Sequence, residues 1–128
     1  MTPDELAVEL GPSAAAGELR LLVLHGSRAR GDHGPESDWD FGVLTNGEID
    51  LADLVSALTL LLGTDAVDVV DLRRACALLR FRAARDGIPI VERPDGEFLQ
   101  FQLEAVRFWC DVGPVIRAAQ HDVLASLG

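Results

Sequence analysis

Between Leu19 and Leu44 the chain reads LRLLVLHGSRARGDHGPESDWDFGVL. An apolar run, Leu21 to Leu24, ends at His25 and gives way to a Gly-Ser step, a polar segment and a second apolar run beginning at Trp39. The pattern predicts strand, tight turn, one short helix, loop, strand. Side chains two apart on a strand share a face, so Asp38 and Asp40 project together, while Trp39, Phe41 and Val43 face a core. Gly42 continues the aspartate face without a side chain, which leaves room for an approaching group. Two carboxylates on one rigid face suit Mg2+, a hard cation that takes oxygen ligands alongside waters and substrate phosphates. Upstream, Gly26 allows a close turn, and Ser27 falls at a helix start, where free N–H groups and a hydroxyl can hold phosphate oxygens. A phosphate cradle beside an acidic pair points to phosphoryl or nucleotidyl transfer.

The flanking sequence supplies the remaining elements. Thr2-Pro3-Asp4-Glu5 is a helix start, with Thr2 as N-cap, Pro3 at the first position and Glu5 closing a capping box; Gly11-Pro12 stops that helix, and Ser13 to Gly17 is a small-residue connection. The near-continuous run from Leu19 to Leu24 predicts a central strand covered on both faces. His25 at its end reads as a packed or capping residue, with nucleotide contact the lesser alternative. A helical period over Asp50–Leu62 is capped by Asp50 and stopped by Gly63. Ala66 to Leu72 is a β-branched third strand. Asp68 interrupts its apolar face, and an ionised carboxylate there needs a partner. Asp68 is therefore the expected third carboxylate beside Asp38 and Asp40. Asp71 is the alternative, although its spacing suits capping of the next helix.

Arg73 to Arg85 reads as a helix closed by Gly87, with arginines at 73, 74, 80, 82 and 85 on a largely solvated face. Pro89 confines Ile88–Val91 to a sheet edge. Phe98, Phe101, Ala105, Phe108, Trp109, Val112, Val115, Ile116, Ala119, Val123 and Leu127 form one helical stripe, which Gly113-Pro114 should kink or break. The sum is an α/β (α+β) fold: a small mixed sheet of about four strands, helices packed on it, and a long C-terminal helical segment, with residues 1–128 as one domain.

Composition narrows the function. The apolar content of 48% fits a packed core and argues against disorder. No stretch is long enough to span a bilayer, and the acidic start MTPDELAVEL lacks the basic region of a secretory signal; the cytoplasm is the expected location. A net charge of −10 disfavours general nucleic-acid or anionic-membrane binding. Cys76 and Cys110 are far apart in sequence and read as small core residues rather than zinc ligands. All eleven cations are arginine, so a phosphate clamp must use arginine or backbone amides. Arg28 and Arg30 are expected at the triphosphate, since a planar guanidinium suits phosphate oxygens; the plainer reading is exposed ion pairs. Tyrosine is absent, so the chain cannot modify itself on that residue.

Gly26-Ser27, ten residues, then Asp38-x-Asp40, with apolar strands on either side, resembles the signature of the DNA polymerase β-like nucleotidyltransferases. Within so short a chain, GSRARGDHGPESDWDFGVL is most similar to the minimal members, notably MntA-type antitoxins that pair with HEPN-domain toxins. The resemblance implies a polymerase β-like fold, with Asp38, Asp40 and Asp68 holding two Mg2+ ions and Gly26 and Ser27 holding the triphosphate. It also implies AMP transfer from ATP to a tyrosine of a cognate HEPN ribonuclease toxin, in a hetero-oligomer. Two other classes stay open: an antitoxin acting by binding alone, and a stand-alone transferase with a small-molecule acceptor.

Overall fold

The apolar runs become the middle of a four-stranded sheet. The computed structural model describes residues 1–13 and 17–127. Part of the small-residue connection, 14–16, lies outside them, as do the side chains expected to continue the stripe at Val115, Ile116, Ala119, Val123 and Leu127. The elements are α1 (Pro3–Leu10), β1 (Leu19–His25), α2 (Ser27–Arg30), β2 (Trp39–Thr45), α3 (Leu51–Leu62), β3 (Val67–Asp71), α4 (Ala77–Asp86), β4 (Ile88–Glu92) and α5 (Glu97–Leu127). Strand order is β3-β2-β1-β4, with β2 and β3 parallel and the other pairs antiparallel.

The two central strands are buried on both faces because each alternates between two apolar layers. Leu22, Leu24, Trp39, Phe41 and Val43 pack with Leu6 and Leu10 of α1 and Leu54 and Leu58 of α3. Leu21, Val23 and Leu44 pack the other way, with Ala83 and Ala84 of α4 and Phe101 and Ala105 of α5. Leu19 joins the α1/α3 layer despite its odd number, since the β1–β2 register shifts between Leu19 and Leu21. Pro89 sits on the β4 edge, where a missing N–H is tolerated. The caps follow the sequence: Thr2 Oγ1 accepts the Glu5 N–H at 3.2 Å, Asp50 Oδ1 accepts the N–H groups of Ala52 and Asp53, and Gly63 closes α3 at φ 70°.

Several expectations are corrected. α4 starts at Ala77, four residues later than Arg73, because Asp71 Oδ1 takes the Arg73 N–H and the Asp71 carbonyl takes that of Arg74, holding those residues in a turn. α5 runs through Pro114 without a break; the proline withholds only the N–H that would reach the Cys110 carbonyl. Neither cysteine is in the core. Cys76 is exposed at the α4 N-cap and Cys110 is exposed on the outer side of α5. The space left at Gly42 is filled from within, since a Cβ there would lie 2.6 Å from Leu72 Cδ2. Gly42→Ala should therefore overpack the α4/α5 layer and cost about 1–3 kcal/mol of stability, read as a lower urea midpoint at unchanged m-value.

Candidate active site

The end of the sheet where β1 leaves and β2 and β3 enter gathers the charged residues. His25 is paired with Asp40 across the antiparallel ladder, and Asp40 is paired with Asp68 across the parallel one. The pleat directs Asp40 and Asp68 to the same side as Leu44 and Val70, the side covered farther along by α4 and α5. Asp38 precedes β2 by one residue and is exposed, as is Asp68; Asp40 is half-buried. Asp71 lies beside Val43, three positions along the parallel pair, about 10 Å from the Asp40–Asp68 level. It faces a cavity of about 520 Å³ shared with Thr45, Arg73 and Arg74. That cavity holds none of the Asp38, Asp40 or Asp68 carboxylates, so chemistry and concavity mark different ends of β2 and β3.

The turn after β1 is shaped around Asp40. Gly26 has φ 73°, and a Cβ there would run into Asp40 Oδ2. Glycine is thus demanded twice, by backbone conformation and by the closeness of the carboxylate. Ala29 and Arg30 donate their N–H groups to the Gly26 carbonyl, each at 3.1 Å, and Gly31 at φ 85° closes the single turn of α2 onto the Ser27 carbonyl. The N–H groups of Ser27 and Arg28 come before the first intrahelical donor and stay available to an anion. The Ser27 hydroxyl is engaged by no other described residue.

The two arginines of α2 have different neighbours. Arg28 Nε donates to the Ser37 carbonyl at 3.1 Å, its Nη2 reaches the Gly34 and Pro35 carbonyls, and its guanidinium lies 4.3 Å from the Trp39 ring centroid. It braces the loop that delivers Asp38. Arg30 pairs with Asp32 at 3.1 Å, both exposed, and lies close enough to Asp40 to favour its ionised form. Arg28→Ala should cost about 1–2 kcal/mol of stability, whereas Arg30→Ala, whose pair with Asp32 is exposed, should leave stability alone. Thermal melts separate the two.

The electrostatics are those of crowded carboxylates. The pKa of Asp40 is raised, first by burial and then by Asp68 and Asp38, against the opposing pull of His25 and Arg30. His25 is one of few polar side chains in the core, and its Nε2 is buried without a hydrogen-bond partner. Burial lowers its pKa, and so favours the neutral ring, despite the proximity of Asp40, a backbone hydrogen bond at Phe41 and Asp68. An ionisable residue closing an apolar strand directly before Gly-Ser was its only trace in the sequence. Among the described residues no three His, Cys, Asp or Glu side chains stand close enough to ligate one ion as placed. The donor set nevertheless fits a hard divalent cation: it is all oxygen, and Asp40 is raised by burial and then by the neighbouring carboxylates of Asp68 and Asp38. Asp38 and Asp68 are exposed and free to turn toward one.

Comparison with known proteins gives a consistent picture. Residues 14–96 match the family model described as polymerase beta, nucleotidyltransferase. The protein adenylyltransferase MntA of Aphanizomenon flos-aquae (strain 2012/KM1/D3) is 38% identical over 96 residues, 66% of this chain; the chain spans 64% of that relative's length. A chain from the crystal structure of a toxin–antitoxin with AMP-PNP superposes with a TM-score of 0.78 at 24% identity, over 97% of this chain and 99% of the other. A chain from the structure of tri-AMPylated Shewanella oneidensis HEPN toxin in complex with MNT antitoxin gives 0.63 at 25% identity, over 84% of each.

Proposed function

The chain belongs to the polymerase β nucleotidyltransferase family, and from that we propose that it is an antitoxin that transfers AMP from ATP to a tyrosine hydroxyl of a cognate HEPN-domain toxin. The observation that carries this reading is the placement of Asp40 and Asp68 at one register level, directly beside the Gly26–Ser27 turn. The likeness to a protein named as an adenylyltransferase supports the chemistry. The likeness to a chain in an AMPylated HEPN toxin complex supports the acceptor class.

In this reading the Ser27 hydroxyl and the N–H groups of Ser27 and Arg28 hold triphosphate oxygens, and Arg30 offsets their charge. Asp38, Asp40 and Asp68 would hold Mg2+. When bound, that ion polarises the phosphoryl group and steadies the attacking and leaving oxygens. Asp68, exposed at the level of Asp40, accepts the proton of the acceptor hydroxyl. The hydroxyl oxygen bonds to the α-phosphorus, the bond to the bridging oxygen breaks, and pyrophosphate leaves with that electron pair.

Intact-mass spectrometry tests this directly. The chain is mixed with ATP, Mg2+ and the protein encoded by the neighbouring gene. Adenylate-sized increments on the partner, mapped to tyrosine, are the expected result. Increments on a small-molecule acceptor instead, or tight neutralising binding with no increment, would overturn it. Within the same assay Asp68→Asn should be inactive and Asp71→Asn active; the reverse pattern would move the third carboxylate to the far end of the pair.

A further inference from the structure

Helix α5 has three sides. Phe98, Phe101, Ala105, Phe108 and Trp109 hold it to the body: Phe101 and Ala105 are buried in the α4/α5 layer, Trp109 stacks on Phe81 at 5.4 Å, and Phe108 lies under Arg80 at 4.8 Å. A second row, Leu99, Leu103, Val106 and Cys110, faces outward at spacings of four, three and four. Its leucines and valine are 60%, 57% and 46% exposed, and Cys110 is exposed too. Those spacings lay the four side chains in one continuous strip about 16 Å long. Isolated apolar residues on a surface are ordinary, whereas a contiguous strip marks an interaction site. A third row, Gln100, Glu104, Arg107 and Asp111, borders it, with Gln100 hydrogen-bonded to Glu104 at 2.9 Å.

We propose that this strip docks a helix of the acceptor protein, one that presents an apolar row flanked by basic residues; the inference rests on the proposed function for the identity of the partner. Two observations select that occupant. The first is position: α5 packs on the sheet face that carries Asp40 and Asp68, so a protein seated along it lies on the side where its hydroxyl must arrive. The second is charge: among the described residues the bordering row of α5 carries Glu104 and Asp111 with Arg107, on a chain of net charge −10. That field repels a second copy and an anionic membrane and attracts a cationic partner.

The test uses the full chain with Leu103→Asp and Val106→Asp together, and separately Glu104→Arg. Circular dichroism and melting confirm the fold, and Leu103→Ser with Val106→Thr serves if the aspartates perturb it. Affinity for the protein of the neighbouring gene is measured by calorimetry, without ATP, so that docking is read apart from transfer. The double variant should bind about 30-fold or more weakly, and Glu104→Arg several-fold more weakly, with the deficit shrinking in high salt. Unchanged affinity of the double variant, or no binding by the wild-type chain, overturns the docking surface. A wild-type dimer in light scattering that the double variant abolishes assigns the strip to a second copy and also overturns it. Binding that is lost in the variant, but with no AMP transferred by the wild type, keeps the docking surface and rejects the transferase reading.

Discussion

Asp40→Asn should lower the proposed AMP transfer roughly 10³-fold while leaving a folded and, without metal, slightly more stable protein. Both halves come from the same crowding. Asp40 is half-buried with Asp68 paired beside it and Asp38 two residues away, and its pKa is raised by burial and by those two carboxylates. An acid whose pKa is higher in the folded state binds more protons folded than unfolded in the interval above the ordinary carboxylate value near 3.9. Stability therefore falls as pH rises through that interval, and at pH 7 the ionised Asp40 weakens the metal-free fold. Asparagine has no charge to repel. The metal-free melting temperature at pH 7 should rise by about 1–4 °C, and the difference from wild type should vanish near pH 3. Added Mg2+ should stabilise the wild type and do much less for the variant. Undiminished transfer by both Asp38→Asn and Asp40→Asn would remove these residues from the chemistry. A variant that melts several degrees lower without metal would show that Asp40 is structural.

Gly26→Ala should be nearly as damaging for a different reason. The backbone at Gly26 has φ 73°, and an added methyl would meet the Asp40 carboxylate. Strain in this glycine-only region costs about 1–3 kcal/mol for alanine, and the collision must push either the turn or Asp40 away from the other. A displacement of about 1 Å between groups that act together is enough for a 10²-fold loss in rate. Gly63→Ala is the milder comparison: φ is 70° and ψ 27° there, the left-handed helical region, against ψ −158° at Gly26, a region open essentially to glycine alone, and nothing lies within 4 Å of the added methyl. Gly26→Ala should lose more stability than Gly63→Ala by denaturant titration, and only Gly26→Ala should lose transfer. Equal activities in the two would mean that the turn does not need its contact with Asp40.

Much of the molecule was legible before any coordinates. The near-continuous apolar runs through Leu21–Leu24 and Phe41–Leu44 marked both central strands, since a strand covered on two faces must be apolar at nearly every position. Caps at Thr2, Asp50 and Gly63 are local chemistry and were readable from neighbours in sequence. Asp38, Asp40 and Gly26-Ser27 lie in one stretch, so their juxtaposition needed only a strand, a turn and a strand. Boundaries set by a competing hydrogen bond were not readable, as with Asp71 holding Arg73 and Arg74 out of α4.

Tertiary structure decided what depends on residues far apart in the chain. The parallel register placed Asp68, and not Asp71, across from Asp40; a strand's alternation fixes which residues share a face but not how far it slides along its neighbour. The packing partner of Gly42 turned out to be Leu72, so the gap that looked open to a ligand belongs to the core. Arg28 was turned toward the Gly34–Ser37 carbonyls and the Trp39 ring, a choice made by the path of the loop. The two apolar rows of α5 look alike in sequence because both repeat at helical spacing. Only the position of α4 and the sheet buried one of them and left Leu99, Leu103 and Val106 facing out.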